Sequence, residues 1–338
     1  MPFYFSGVQS GQKKYLPCLL LLCAASALAK PTLTVYTYDS FAADWGPGPA
    51  VKKAFEADCG CELQFVTLAD GVSLLNRLRM DGKSSAADVV LGLDNNLLQA
   101  AQQTDLFAPS DVDTSKLTVP GGWQDKTFVP YDYGYFAFVY NKDKLKNPPK
   151  SLQELVSRDQ HWRVIYEDPR TSTPGLGLLL WMQKVYGEKA PEAWQQLAKK
   201  TVTVTKGWSE AYGLFLKGEA DLVLSYTISP AYHLIKEKKD SYAAAQFSEG
   251  HYLQVEVAGK LKASKQPALA KRFMQFMVTP AFQSSIPLGN WMYPVIDTPL
   301  PIGFEQMTTV QTTLQYRTDE VAKHRGNWVR AWQTAVSH

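Results

Sequence analysis

Aromatic side chains set in loops are the feature of this sequence that most suggests chemistry: Tyr38, Trp45, Trp208, Tyr226, Tyr232, Trp291 and Tyr293. Most follow a predicted strand or stand beside a helix start, with Gly, Pro or Ser as neighbours. Core rings instead sit inside apolar periodic runs, as Trp181 and Trp194 do. Rings gathered at strand ends suit a flat, electron-poor or cationic ligand. A second feature is the segment 168–175, DPRTSTPG, ahead of an apolar helix. Thr173 suits the N-cap and Pro174 the first helical position, so free N–H groups there can attract an anion such as phosphate. The same residues also serve as a plain helix start. Together the two features describe a ligand with a cationic ring and a phosphate.

Signs of catalysis are missing. The chain has no GxxxxGK[ST], HExxH or GxSxG pattern, and its five histidines lack metal-ligand spacing. We therefore expect a binding protein rather than an enzyme, with no metal and no cofactor. Formal net charge is +3, and no stretch carries a dense Lys/Arg run, which argues against a nucleic-acid partner.

Residues 1–29 differ from the rest. Lys13 and Lys14 precede an apolar run, Leu16 to Ala25, and the stretch ends in Ala27-Leu28-Ala29, the pattern of a secretory signal peptide. The run is too short for a membrane-spanning helix. Cleavage is expected after Ala29, giving an exported, periplasmic protein. Cys18 and Cys23 would leave with the leader, so Cys59 and Cys61 remain and are expected to pair as a disulfide. Two cysteines alone cannot complete a zinc shell.

The elements that must position these residues alternate along the chain. Strands are predicted at 33–36, 62–68 and 88–91, with helices around Val51–Phe55 and over 72–80. This βαβαβ order implies a parallel sheet. Aromatics and valines crowd 128–141, an extended stretch able to cross between lobes, and 251–257 could be the return crossing. Between them, helices are expected at 151–156, from Pro174 and near Ser229, and strands at 163–166 and 220–225. Helices are also expected at 267–278, 280–286 and from Thr318. With 338 residues the chain exceeds one small core and suggests two lobes.

Several segments resemble the periplasmic thiamine-binding proteins of bacterial thiamine ABC transporters: LTVYTYDS (33–40), FAADWGPGP (41–49), Asp70-Gly71-Val72, GLDNN (92–96), DPRTSTPG (168–175), KGWSE (206–210), SYTIS (225–229) and GNWMYP (289–294). The resemblance runs from about Lys30 to the last helix. It implies a two-lobed type II periplasmic-binding fold of α/β class, with the cleft between lobes joined by crossing strands. On that fold, residues 30–137 and 256–302 form lobe 1 and 138–255 lobe 2. Residues 303–338 are a helical segment packed on lobe 2. It also implies binding of thiamine, thiamine monophosphate and thiamine diphosphate as transported ligands, delivered to an inner-membrane permease with its ATPase. The implied contacts are Asp70, Gly71, Ser172, Thr173, Trp208, Tyr226, Thr227, Ile228 (through its backbone) and Ser229. Tyr38, Trp45, Tyr232 and Trp291 are the surrounding rings. Asp70 would accept from the aminopyrimidine amine or face the thiazolium, while Ser172 and Thr173 suit the phosphate. Two relatives of the fold fit less well. Thiaminase I needs a free nucleophilic cysteine, and ferric-ion binding proteins use adjacent tyrosines, which this chain lacks.

Overall fold

The computed structural model describes residue 3, residues 29–157 and residues 159–337. The expected leader, with its lysine pair and apolar run, lies outside the described residues. From Pro31 the chain forms a single unit. β1 (Thr32–Tyr38), rich in β-branched and aromatic residues, leads through the one-turn α1 (Asp39–Ala42) to α2 (Gly48–Cys59). β2 (Glu62–Leu68), α3 (Gly71–Asp81), β3 (Val89–Asp94), α4 (Leu98–Gln102) and β4 (Phe107–Ala108) follow. The aromatic stretch is β5 (Val129–Asn141).

After β5 come α5 (Leu152–Ser157), β6 (Val164–Glu167), α6 (Thr173–Tyr186), α7 (Ala190–Ala198) and β7 (Thr201–Thr205). Next are α8 (Trp208–Leu216), β8 (Leu222–Tyr226), α9 (Pro230–Lys236), β9 (Tyr242–Ala244) and β10 (His251–Leu261). The chain closes with α10 (Pro267–Phe276), α11 (Pro280–Gln283), β11 (Tyr293–Pro294), β12 (Thr313–Leu314) and α12 (Thr318–Val336).

The strand order is β2-β1-β3-β10-β5-β8-β6-β7. The outer groups β2-β1-β3 and β8-β6-β7 are parallel, as the βαβ order predicts. β10 and β5 join them in antiparallel pairing. β5 changes partner along its length: Val129–Tyr135 pairs with β10 and Phe136–Val139 with β8. A strand of this length, apolar enough to be buried on both faces, is what ties two α/β halves together.

Rings dominate the packing. Phe55, Phe273, Phe276 and Phe282 interlock beneath β1, mostly edge to face. Trp181 and Trp194 are buried, as their helical spacing predicts. Trp332 of α12 meets Trp194 of α7 at 6.4 Å and donates to the Tyr166 hydroxyl. α12 also packs on α6 and α4. Cys59 and Cys61 are disulfide-bonded. Gly60 between them has φ +63° and caps α2 in the left-handed region, which only glycine enters freely.

Three local expectations need correction. The helix after the 168–175 segment begins at Thr173, and Ser172 rather than Thr173 is its N-cap, its Oγ accepting from Gly175 N–H at 3.1 Å. The seryl residue has the extended backbone a cap requires (φ −119°). Trp208 opens helix α8, Tyr232 lies within α9, Tyr38 and Tyr226 end strands β1 and β8, and Tyr293 opens β11, so none of these five belongs to a loop. The helix expected over 280–286 stops at Gln283, and a π turn takes over at Ile286–Asn290, where Pro287 offers no donor to continue an α ladder.

Candidate ligand-binding site

A cleft of about 290 Å³ lies at the C-terminal ends of the parallel strands, at the small end of the range for ligand pockets. Tyr38 ends β1, Asp70 follows β2, Thr173 follows β6, Trp208 follows β7 and Tyr226 ends β8. All five line the cleft, with Trp45, Ser229, Tyr232 and Trp291 from the expected set. Gly71, Ser172, Thr227 and Ile228 stand behind the wall. Thr227 N–H donates to the Tyr135 carbonyl, and Ile228 is fully buried in the core.

The rings are braced from behind. Trp208 stacks on Tyr212 at 5.0 Å, and its Nε1–H donates to Ser225 Oγ at 2.9 Å. Tyr212 stacks in turn on His233, whose Nε2 is 2.9 Å from the Tyr212 hydroxyl and whose Nδ1 is 2.7 Å from Glu237 Oε2. Burial lowers the basicity of His233, so the neutral ring donates from Nδ1 and accepts at Nε2 from Tyr212. Across the cleft, the half-exposed Trp45 approaches Trp208 at 6.3 Å. Trp291 meets Tyr232 edge-on at 5.4 Å. Its backbone is left-handed, with φ +55°, a conformation that costs about 1–3 kcal/mol in a residue with a side chain.

Asp70 forms one polar end. Oδ1 accepts from Gly71 N–H at 2.7 Å and Thr173 Oγ1 at 3.1 Å, and Oδ2 from Ser172 Oγ at 2.9 Å and Trp208 N–H at 3.1 Å. Three helix starts, those of α3, α6 and α8, thus converge on one buried carboxylate. Burial raises its pKa and these bonds pull it back, burial prevailing. Ser172 and Thr173 were expected to face a phosphate; here both hydroxyls donate to Asp70. A Cβ on Gly71 would lie 2.3 Å from the Gly92 carbonyl oxygen and 2.5 Å from Thr173 Cγ2, so glycine permits this close approach. Beneath it Glu167 is fully buried, with neither carboxylate oxygen hydrogen-bonded among the described residues, and burial raises its pKa strongly.

A second polar end was not foreseen. Glu256, Asn290 and Met292 line the cleft with Tyr38. Glu256 Oε2 accepts from the Tyr38 hydroxyl at 3.1 Å and Asn290 Nδ2 at 3.2 Å, and Asn290 also donates to Asp132 Oδ2 at 2.6 Å. Tyr226 donates to Gln254 Oε1 at 2.5 Å, and Gln254 Nε2 to Asp94 Oδ2 at 3.0 Å. One signal could have found Glu256: it is an acid inside the apolar strand HYLQVEVAG, and buried acids are rare without a purpose.

Among the described residues no group of His, Cys, Asp and Glu could hold a metal, and the bonded cysteines do not line the cleft. A two-lobed α/β fold with a ring-lined cleft at its strand ends is the architecture of exported solute carriers, and the chain belongs to the bacterial extracellular solute-binding protein family, which it matches over residues 43–284. Within that class its relatives include thiamine-binding periplasmic proteins. The one from Salmonella typhimurium is 74% identical over 325 residues, covering 96% of this chain and 99% of its own. A solved periplasmic thiamin binding protein superposes with a TM-score of 0.91 at 74% identity, covering 91% of this chain and 97% of its own. Iron-bound HitA from Pseudomonas aeruginosa shares the fold, with a TM-score of 0.75 and coverage of 90% and 99%, at 20% identity. The relatives indicate a periplasmic protein that binds its solute without transforming it.

Proposed function

We propose that this protein captures thiamine, thiamine monophosphate and thiamine diphosphate in the periplasm and delivers them to an inner-membrane ABC permease driven by its ATPase. The observation that carries this reading is the ring-walled cleft with Asp70 and three helix starts at one end, in a chain so similar to proteins named for thiamine. Trp45, Trp208, Tyr226, Tyr232, Trp291 and Tyr38 supply faces and edges for a thiazolium and an aminopyrimidine. A phosphate would join or displace Asp70 at Gly71 N–H, Trp208 N–H, Ser172 and Thr173, donors that suit any anion. Thr227 and Ile228 would act through the backbone that shapes Tyr226 and Ser229. The lobes we assign are 30–137 with 256–302, and 138–255, with 303–338 against the second. The leader is cleaved after Ala29, so that periplasmic material begins at Lys30.

Calorimetry on Ser172→Ala/Thr173→Ala tests how recognition is divided. Unphosphorylated thiamine should bind as before, and the phosphorylated ligands should lose about 1–3 kcal/mol, the range for hydrogen bonds to a charged acceptor. Backbone N–H groups survive the substitution, so phosphate binding should weaken without vanishing. An equal loss for all three ligands would contradict the assignment of this end to the phosphate.

A further inference from the structure

A row of polar side chains crosses the sheet beneath the cleft, from one parallel group of strands to the other. Asp94 ends β3, Gln254 lies on β10 and Tyr226 ends β8. The Tyr226 hydroxyl donates to Gln254 Oε1 at 2.5 Å, and Gln254 Nε2 donates to Asp94 Oδ2 at 3.0 Å. Asp94 Oδ1 accepts from the Asn96 N–H at 2.9 Å. β5 separates β10 from β8, and in this row it carries Gly134, paired in register with Gln254. A Cβ on Gly134 would lie 3.3 Å from Tyr226 Cδ1 and 2.8 Å from Met292 Cε. The missing side chain therefore opens the path by which the Tyr226 ring crosses β5 to reach β10. Phe136, two residues along β5, packs against the same ring at 5.3 Å.

Asp94 and Gln254 are fully buried and form no part of the cleft wall, whereas Tyr226 does. Burying an amide and a carboxylate carries a desolvation cost that only satisfied hydrogen bonds offset, and apolar side chains would hold the strands together without it. What the polar row adds is direction. A ring held by packing alone can slide on its neighbours, but one whose hydroxyl is tied keeps its tilt. We infer that Asp94 and Gln254 are positioning residues for ligand binding, holding the Tyr226 ring across Gly134 at the angle at which it meets the ligand. The inference rests on the proposed binding of thiamine in this cleft and extends it to two residues that stand behind the wall.

Calorimetry with thiamine on the wild type, Gln254→Leu, Tyr226→Phe and the double variant tests this. Tyr226→Phe keeps the ring and removes only its tie. Each single change should weaken thiamine roughly 3- to 10-fold, the scale of one net hydrogen bond. The double variant should match the weaker single variant within about 2-fold, because both changes break the same link. A network that serves the fold alone would lower the melting temperature of Gln254→Leu and leave its affinity for thiamine unchanged, which would overturn the inference. Losses that multiply in the double variant would overturn it as well. Should the leucine variant fail to fold, Gln254→Asn takes its place in the same cycle. It keeps the amide but is one methylene shorter, so it must show the same loss, and wild-type affinity there counts against the inference. Tight wild-type binding with unchanged variants overturns this inference alone, whereas a wild type that does not bind thiamine at all overturns the broader reading along with it.

Discussion

A ring that grips the ligand face contributes to every ligand carrying that face. Under the proposed function Trp208 would be the clearest case, because Tyr212 and His233 stack behind it and Ser225 fixes its indole nitrogen. Trp208→Ala should weaken thiamine and both phosphates alike, by roughly 2- to 30-fold, as measured by titration. A loss confined to the phosphorylated ligands would move Trp208 to the phosphate end. The buried acids make a separate prediction about pH. Burial raises Asp94 to about 6, whereas an unfolded aspartate titrates near pH 4. The folded state then holds the extra proton between these values, so this group's contribution to stability falls as pH rises from about 4 to 6. His233 and His251, whose basicity burial lowers, act in the opposite direction below about pH 6.5. The difference between variant and wild type isolates the aspartate: Asp94→Asn should gain relative stability by about 1–3 kcal/mol between pH 4 and 7 in urea melts. A difference that stays constant with pH would refute it. At this scale the tryptophan wall of the cleft was legible, because Trp45, Trp208 and Trp291 stand beside Gly or Asn outside apolar repeats. Asn290 and Tyr212 were not, since one amide in a turn and one tyrosine on a helix carry no local pattern, and Glu256 offered only the rarity of an acid within an apolar strand. Only the fold brings them to the cleft.

Helix starts set the polar end. α3, α6 and α8 each leave N–H groups without intrahelical partners, and Asp70 collects donors from all three. Asp70→Ala would strand the Ser172 and Thr173 hydroxyls and the N–H of Trp208 and remove the α3 cap. A loss of about 2–4 kcal/mol of folding stability is expected, combining a missing cap with unpaired buried donors. Asp70→Asn retains one acceptor and should cost less; equal losses would show that the carboxylate, rather than the acceptor, is what matters. The 168–175 segment announced its helix through Ser, Thr and Pro, but placing the cap at Ser172 rather than Thr173 depends on which hydroxyl faces Gly175, a matter of backbone angle. The left-handed Trp291 after a π turn had no sequence signal either; the segment around it is tied to β5 through Gln283 and Tyr293 and to β1 through Asn290.

For the whole molecule, β10 and β5 together connect the two parallel groups of strands, β10 pairing with β3 and β5 with β8, and the crowding of aromatics and valines in 128–141 made the connecting role of β5 legible. Contacts made by α3 on the segment before α6 link the two groups a second time. Ser73 N–H and Oγ both donate to the Thr171 carbonyl, and Asn76 donates to that of Arg170. A ligand seated between these elements binds the folded form alone and must stabilise it: at a free concentration of 100 times Kd the gain is about 2.7 kcal/mol. The most direct test of the account is calorimetric titration of ligand-stripped mature protein with thiamine, thiamine monophosphate and thiamine diphosphate. The account predicts saturable one-to-one binding of all three, accompanied by a change in tryptophan fluorescence as Trp45, Trp208 and Trp291 close on the ligand. Absence of binding heat and of any fluorescence change with thiamine, in protein that is folded by its thermal melt, would contradict it.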